Sequence, residues 1–220
     1  MTKYVLFDLD GTLNDPYEGI TSCIKYALES VGIEENDPVK LRSYIGPPLR
    51  NTFALYGFDE EKCEELVFKY REKFLVTGIH QNVPYEGSFE MLKALHEHGC
   101  KIALASCKPE RACKIILEET GVLKYFDVVS GATEDKTLDT KPAIIKLSLE
   151  RLGVTEEELE HVYMVGDRDM DMVGAHENKT VAVGALYGYG GEKELHEAGA
   201  DFLINSPMEL LDIVLGKEDE

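Results

Sequence analysis

The sequence predicts an α/β protein: a doubly wound parallel sheet with a smaller helical domain inserted after the first strand. Three observations lead there. An apolar run, Tyr4-Val5-Leu6-Phe7, opens the chain and reads as a strand covered on both faces. From Asp15 to Val83 the pattern is helical, with no convincing strand. From Gly87 onward, short apolar runs alternate with helical segments, the pattern of parallel strands joined by crossover helices. The expected organisation is a core of residues 1–15 and 83–220 and a helical insert of residues 16–82.

The elements follow in order. Asp15-Pro16 starts a helix, Ile20, Cys23, Ile24, Ala27, Leu28 and Val31 recur at helical spacing, and Gly32 ends the run. Residues 38–78 carry short helical patterns broken at Gly46-Pro47-Pro48 and Gly57, then a long one from Asp59 to Val76. After the insert come a helix over 88–98 and a strand over Lys101–Ser106. A helix from Pro109-Glu110 to Gly121, a strand over Phe126–Ser130 and a helix over 141–152 follow. His161–Val165 and Thr180–Val183 read as strands around a helix over 169–177. A helix over 192–198, a weak strand at Asp201–Ile204 and a helix over Pro207–Leu215, capped by Asn205 or Ser206, complete the core. The tail from Gly216 to Glu220 is expected to fray.

The charge balance narrows the function. With 42 Asp+Glu against 23 Lys+Arg and a formal net charge of -19, the chain is a poor binder of nucleic acid polymers and of anionic membrane faces. An anionic substrate would need local positive charge from a metal, a Lys or Arg, or backbone N–H groups. Five cysteines, an odd number without a C-x-x-C pair, point to reduced thiols. No run approaches the ~18 apolar residues of a membrane span, and the N-terminus reads as a strand, not a leader. A cytoplasmic protein is expected, a monomer or weak homodimer.

The chemistry sits at strand ends. Asp8 and Asp10 follow the first strand and precede Gly11-Thr12. Two carboxylates so close repel unless a cation neutralises them, and hard oxygen ligands suit Mg²⁺. One of them could also attack phosphorus; an Asp-Gly turn is the plainer alternative. Ser106 ends another apolar strand just before a helix, placed either to hold phosphate oxygens or to cap that helix. Lys141 stands at a helix start, where the dipole disfavours a cation, which hints at a role; Lys136 and Lys146 compete for it. Val162–Val165 runs into Gly166-Asp167, with Asp171 four residues on. Asp169 is expected to stabilise the first helical turn only.

In this order, Asp-x-Asp-Gly-Thr, strand–Ser, Lys at a helix start and Gly-Asp-x-x-x-Asp resemble the haloacid dehalogenase superfamily of phosphohydrolases over nearly the whole chain. The resemblance implies a Rossmann-like core and a cap of the C1 type. It implies Asp8 as the nucleophile that forms an aspartyl-phosphate, and Asp10 as the general acid/base. Ser106 would hydrogen-bond the phosphoryl group and Lys141 neutralise it. Asp8, the Asp10 backbone carbonyl, Asp167 and Asp171 would hold Mg²⁺ or support its shell. Gly11, Thr12, Cys107, Lys108 and Arg50 are expected to contact substrate. Asp10 favours phosphoryl transfer, since dehalogenating members lack it. Cys107 itself reads as a small apolar side chain, not a nucleophile.

Ile45-Gly46-Pro47-Pro48-Leu49-Arg50, Tyr70-Arg71 and Leu186-Tyr187-Gly188-Tyr189-Gly190 are similar to the phosphoglycolate phosphatase-like and 5'-nucleotidase-like branch. The chain departs from it at Asn178-Lys179, where Asn-Gly is usual, and Asn178 is expected to adopt φ > 0. The implied function is Mg²⁺-dependent hydrolysis of a small soluble phosphate monoester, phosphoglycolate or a nucleoside monophosphate. A pyrophosphatase, a phosphosugar mutase and a non-catalytic phosphate-ligand binder are the alternatives.

Overall fold

The computed structural model describes residues 2–133 and 137–216. Lys136 and the tail beyond Gly216 lie outside the described residues. The chain divides into two compact units, Met1–Asp15 with Pro84–Glu220, and Pro16–Val83.

The first unit is built on a six-stranded parallel sheet of β1 (Tyr4–Phe7), β2 (Lys101–Pro109), β3 (Val128–Ala132), β4 (Val162–Gly166), β5 (Val181–Ala185) and β6 (Phe202–Ile204), in the order β3-β2-β1-β4-β5-β6. The first strand is therefore central, with β2 and β4 on either side. The order reverses between β1 and β4, which opens a crevice at the strand carboxyl ends. Val5, Leu6 and Phe7 are fully buried, as an all-apolar central strand requires. One core layer joins Leu6, Ala103, Met164 and Ala182 of the sheet to Ile144, Ile145 and Leu149 of one helix and Met172 and Ala175 of the next. The short strands Asn14–Asp15 and Val83–Pro84 form a separate ribbon.

The second unit is helical: α1 (Tyr17–Glu29), α2 (Pro38–Ser43), α3 (Leu49–Ala54) and α4 (Glu60–Phe74). α1 packs on α4, and the residues spaced for a helix, Ile20, Cys23, Ile24, Ala27 and Leu28, are its buried face. Asp37 and Asp59 cap α2 and α4 by accepting the N–H groups of Val39 and Lys62. The core helices are α5 (Ser88–Glu97), α6 (Glu110–Glu119), α7 (Lys141–Leu152), α8 (Asp169–Glu177), α9 (Gly191–Glu197) and α10 (Glu209–Leu215).

Four local expectations are corrected. β2 runs to Pro109, not Ser106, through a register shift against β3. β3 starts at Val128, because Leu123–Tyr125 forms a 3-10 turn that Phe126 closes. The last helix starts at Glu209 after Met208, and neither Asn205 nor Ser206 caps it. Instead the Glu209 carboxylate reaches back to the Asn205 N–H at 2.8 Å. Finally, Lys179 and not Asn178 has positive φ, at 58°. Asn178 closes α8 with φ -96° while its side-chain amide donates to Pro142 O and Gly174 O, so the left-handed position falls one residue later.

A left-handed conformation costs a residue with a Cβ about 1 kcal/mol. Lys179→Gly is therefore expected to stabilise the fold by roughly 0.5 kcal/mol after its larger unfolded-state entropy is offset. A thermal melt checks this, with a midpoint rise of about 1–2 °C; a lower midpoint would refute it.

Candidate active site

The candidate residues gather at the carboxyl end of β1, where Phe7 lies opposite Leu104 of β2 on one flank and Val165 of β4 on the other. The Asp8 N–H still donates to Val165 O at 2.9 Å, so the ladder extends one residue past β1. The chain then turns tightly: Leu9 O accepts the N–H groups of Thr12, Leu13 and Asn14. Gly11 has φ +84°, and a Cβ there would stand 2.1 Å from Asp167 Oδ2. Only glycine satisfies both the left-handed turn and the approach of that carboxylate.

Asp8, Asp167 and Asp171 each present an oxygen, and the three lie within 4.8 Å of one another. The buried Lys141 joins two of them, its Nζ 2.9 Å from Asp8 Oδ1 and 2.9 Å from Asp171 Oδ1. It also donates to Ala105 O at 2.9 Å. The helix-start position thus delivers the ammonium inward to the carboxylates. Asp167 is held by Thr12 Oγ1, which donates to Oδ1 at 3.2 Å, and by the Tyr189 N–H, which donates to Oδ2 at 2.8 Å. Asp171 Oδ2 accepts the Arg168 N–H at 3.1 Å.

The electrostatics of the cluster call for more positive charge. Burial pushes Asp167 well above the usual carboxylate range, and the charges of Asp171 and Asp8 add to it. Asp171 is also raised, by burial first, with Lys141 opposing. Burial works against the Lys141 ammonium, yet Asp171 and Asp8 outweigh it and hold its pKa well above the usual value. Asp8 Oδ1 and Asp171 Oδ1 are buried and share one partner, the Lys141 ammonium at 2.9 Å from each. Hard carboxylate oxygens, converging and incompletely satisfied, fit a divalent cation.

Asp10 stands apart from this group. Its carboxylate is paired with Lys108, Nζ lying 2.9 Å from Oδ1 and 2.8 Å from Oδ2. Its pKa is raised by burial, with Lys108 opposing and Asp8 adding. Among the described residues the convergent acidic group contains Asp8, Asp167 and Asp171, not the Asp10 side chain.

The remaining candidates fall into place individually. Ser106 is buried, and its Oγ accepts the Lys108 N–H at 3.4 Å. α6 starts only after Pro109, so Ser106 is not its cap. Burial pushes the Cys107 thiol up to about 11, with Lys141 opposing, which leaves it protonated and a poor nucleophile. All five cysteines are free. The Gly11 N–H is spent on Asn14 O at 2.8 Å. Arg50, in the helical unit, pairs with Glu60 at 3.1 Å and with Glu64. Asp169 accepts the Met170 N–H at the start of α8, in keeping with a helix-start role. Sequence reasoning attached no function to Tyr189, and it gave Lys108 and Asp10 separate roles without foreseeing that they pair. The Tyr187-Gly188-Tyr189 motif was a visible signal for Tyr189; nothing local signals the pairing.

Among the described residues no helix is long and apolar enough to cross a membrane. Comparison with known proteins agrees with the geometry. The family model described as haloacid dehalogenase-like hydrolase matches residues 5–185. A 5'-nucleotidase of Pseudomonas aeruginosa is 40% identical over 192 residues, covering 87% of this chain and 86% of that protein. A phosphoglycolate phosphatase of Aquifex aeolicus is 31% identical, covering 96% of each. The crystal structure of a predicted phosphatase from Clostridium acetobutylicum superposes with a TM-score of 0.91 at 37% identity, covering 99% of this chain and 100% of that one.

Proposed function

The chain belongs to the haloacid dehalogenase-like hydrolase family, and from that premise we propose that it is a Mg²⁺-dependent, cytoplasmic phosphatase of small soluble phosphate monoesters, acting through an aspartyl-phosphate. The observation that carries this reading is the buried Lys141 set between Asp8 and Asp171, beside Asp167. A phosphoryl group brought to Asp8 would find a fixed cation and converging carboxylates that are incompletely neutralised without a metal.

In the first step an Asp8 oxygen attacks phosphorus and the bond to the ester oxygen breaks. Asp10 gives a proton to the departing oxygen. In the second step Asp10 takes a proton from water, which attacks the aspartyl-phosphate and returns the Asp8 carboxylate with inorganic phosphate. Lys141 holds Asp8 in line and offsets phosphoryl charge, and Ser106 donates to a phosphoryl oxygen. Asp8, Asp167 and Asp171 would hold Mg²⁺, which when bound supplies the charge that lets one anion approach another. The helical unit serves as the cap that selects the substrate.

The test is phosphate release from phosphoglycolate, nucleoside monophosphates and other small esters. Activity is expected with Mg²⁺, to be lost with EDTA and to return when Mg²⁺ is added in excess. Turnover that ignores the chelator would refute the metal; no release from any ester would refute the phosphatase.

A further inference from the structure

A structural irregularity brings Lys108 to Asp10. Ser106 pairs with Gly131 and Pro109 with Ala132, so Cys107 and Lys108 are extra residues on β2. Such a bulge re-aims the side chains it contains. It is seated where a side chain is missing: a Cβ on Gly131 would lie 2.6 Å from Lys108 O and 2.5 Å from Glu110 Cα. Pro109 further confines Lys108 to extended backbone. The result is an ammonium lying within 2.9 Å of both Asp10 oxygens.

The two lysines of the site thereby divide its space. Lys141 is 1% exposed and committed to Asp8 and Asp171, on the side of the nucleophile. Lys108 and Asp10 are 10% and 17% exposed, so unlike Lys141 the pair keeps an edge toward solvent. On the phosphatase reading above, Asp10 serves the ester oxygen, and the Lys108 charge therefore lies beside the leaving alcohol. The nearby Arg168 is engaged by Glu194 at 2.8 Å.

We infer that Lys108 is a specificity-determining residue that selects esters whose leaving alcohol carries a second anionic group close to the ester oxygen. A carboxylate on that alcohol takes over the ammonium from Asp10, anion for anion. The local charge stays compensated, and Asp10 is released to face the ester oxygen. A neutral alcohol offers no such exchange and leaves Asp10 engaged. A charge-assisted hydrogen bond of this kind corresponds to roughly a 10- to 100-fold preference.

The experiment compares kcat/KM for 2-phosphoglycolate and 2-hydroxyethyl phosphate, which differ in the anion on the alcohol, in the Mg²⁺-loaded full chain. The wild type is expected to favour phosphoglycolate roughly 10- to 100-fold. In Lys108→Met that ratio is expected to fall to near one, and in Lys108→Arg to recover most of its value. Lys108→Gln replaces the Met variant if the latter does not melt cooperatively. Equal loss on both esters would overturn the inference, since Lys108 would then act on the phosphoryl group or on Asp10 alone. A wild-type ratio near one would overturn it while leaving the phosphatase standing. Absence of turnover on both these esters and nucleoside monophosphates would overturn the phosphatase and this inference together.

Discussion

Asp8→Asn is expected to lower phosphate release at least about 10³-fold, because it removes the proposed nucleophile and retains nearly everything else. The amide has the size of the carboxylate, and the Asp8 N–H bond to Val165 O belongs to the backbone. The substitution takes one carboxylate from Lys141 but leaves Asp171 paired with that ammonium at 2.9 Å, and it relieves repulsion, since the Asp8 charge raises both Asp167 and Asp171. The folded state should therefore survive, with a melting midpoint within about 2–4 °C of wild type. Phosphate release and a thermal melt on the same preparation separate chemistry from stability. Turnover near the wild-type rate would remove Asp8 from the mechanism.

Lys141→Met should damage both stability and turnover. The ammonium is 1% exposed and is the counter-charge that Asp8 and Asp171 share at 2.9 Å. Removing one member of a buried charge group leaves the others uncompensated and costs about 3–5 kcal/mol. The pH dependence has a definite sign. In the folded protein without a bound cation, Asp171 and Asp167 are already raised, and loss of the opposing Lys141 charge raises Asp171 further. The folded state then holds protons that the unfolded chain has released above about pH 4, so stability falls as pH rises. Urea unfolding of the chelated variant should show its deficit widening from mildly acidic to neutral pH. A deficit that narrowed over that range would contradict the arrangement. Turnover should fall by about 10²–10³-fold even in Mg²⁺, as when one preorganised charge is removed from a phosphoryl site.

What could be read in the sequence depended on how local its cause was. α7 and α8 were legible to the residue, because α7 is closed by Gly153 at φ 71° and α8 opens directly after a strand-ending Gly-Asp. The acids Asp8, Asp167 and Asp171 were legible as a group because each follows an apolar strand or begins the next helix. The bulge at Cys107-Lys108 was not, since it depends on Gly131 of a neighbouring strand. The Lys108–Asp10 pair joins residues 98 positions apart, and no periodicity encodes such a contact. The clamp on Asp167 from Tyr189 is a backbone N–H, a donor that almost any residue would supply. The left-handed residue after α8 was misplaced because Asn is itself a common helix-ending residue, and here it ends the helix in the ordinary region.

The position of β1 also dictates the order in which the chain can be assembled. It precedes the other strands of its sheet in the sequence, yet its neighbours begin only at Lys101 and Val162. As the polypeptide leaves the ribosome, this apolar strand waits unpaired until Lys101–Leu104 has been made, and it gains its second neighbour only with Val162–Val165. Pro16–Val83, a compact unit continuous in sequence, is free to fold first. The Asp8 carboxylate meets Asp167 and Asp171 only when the sheet closes around β1. Loops this long make that closure slow, and a chain cut short before β4 carries the proposed nucleophile without the acids that are to surround it.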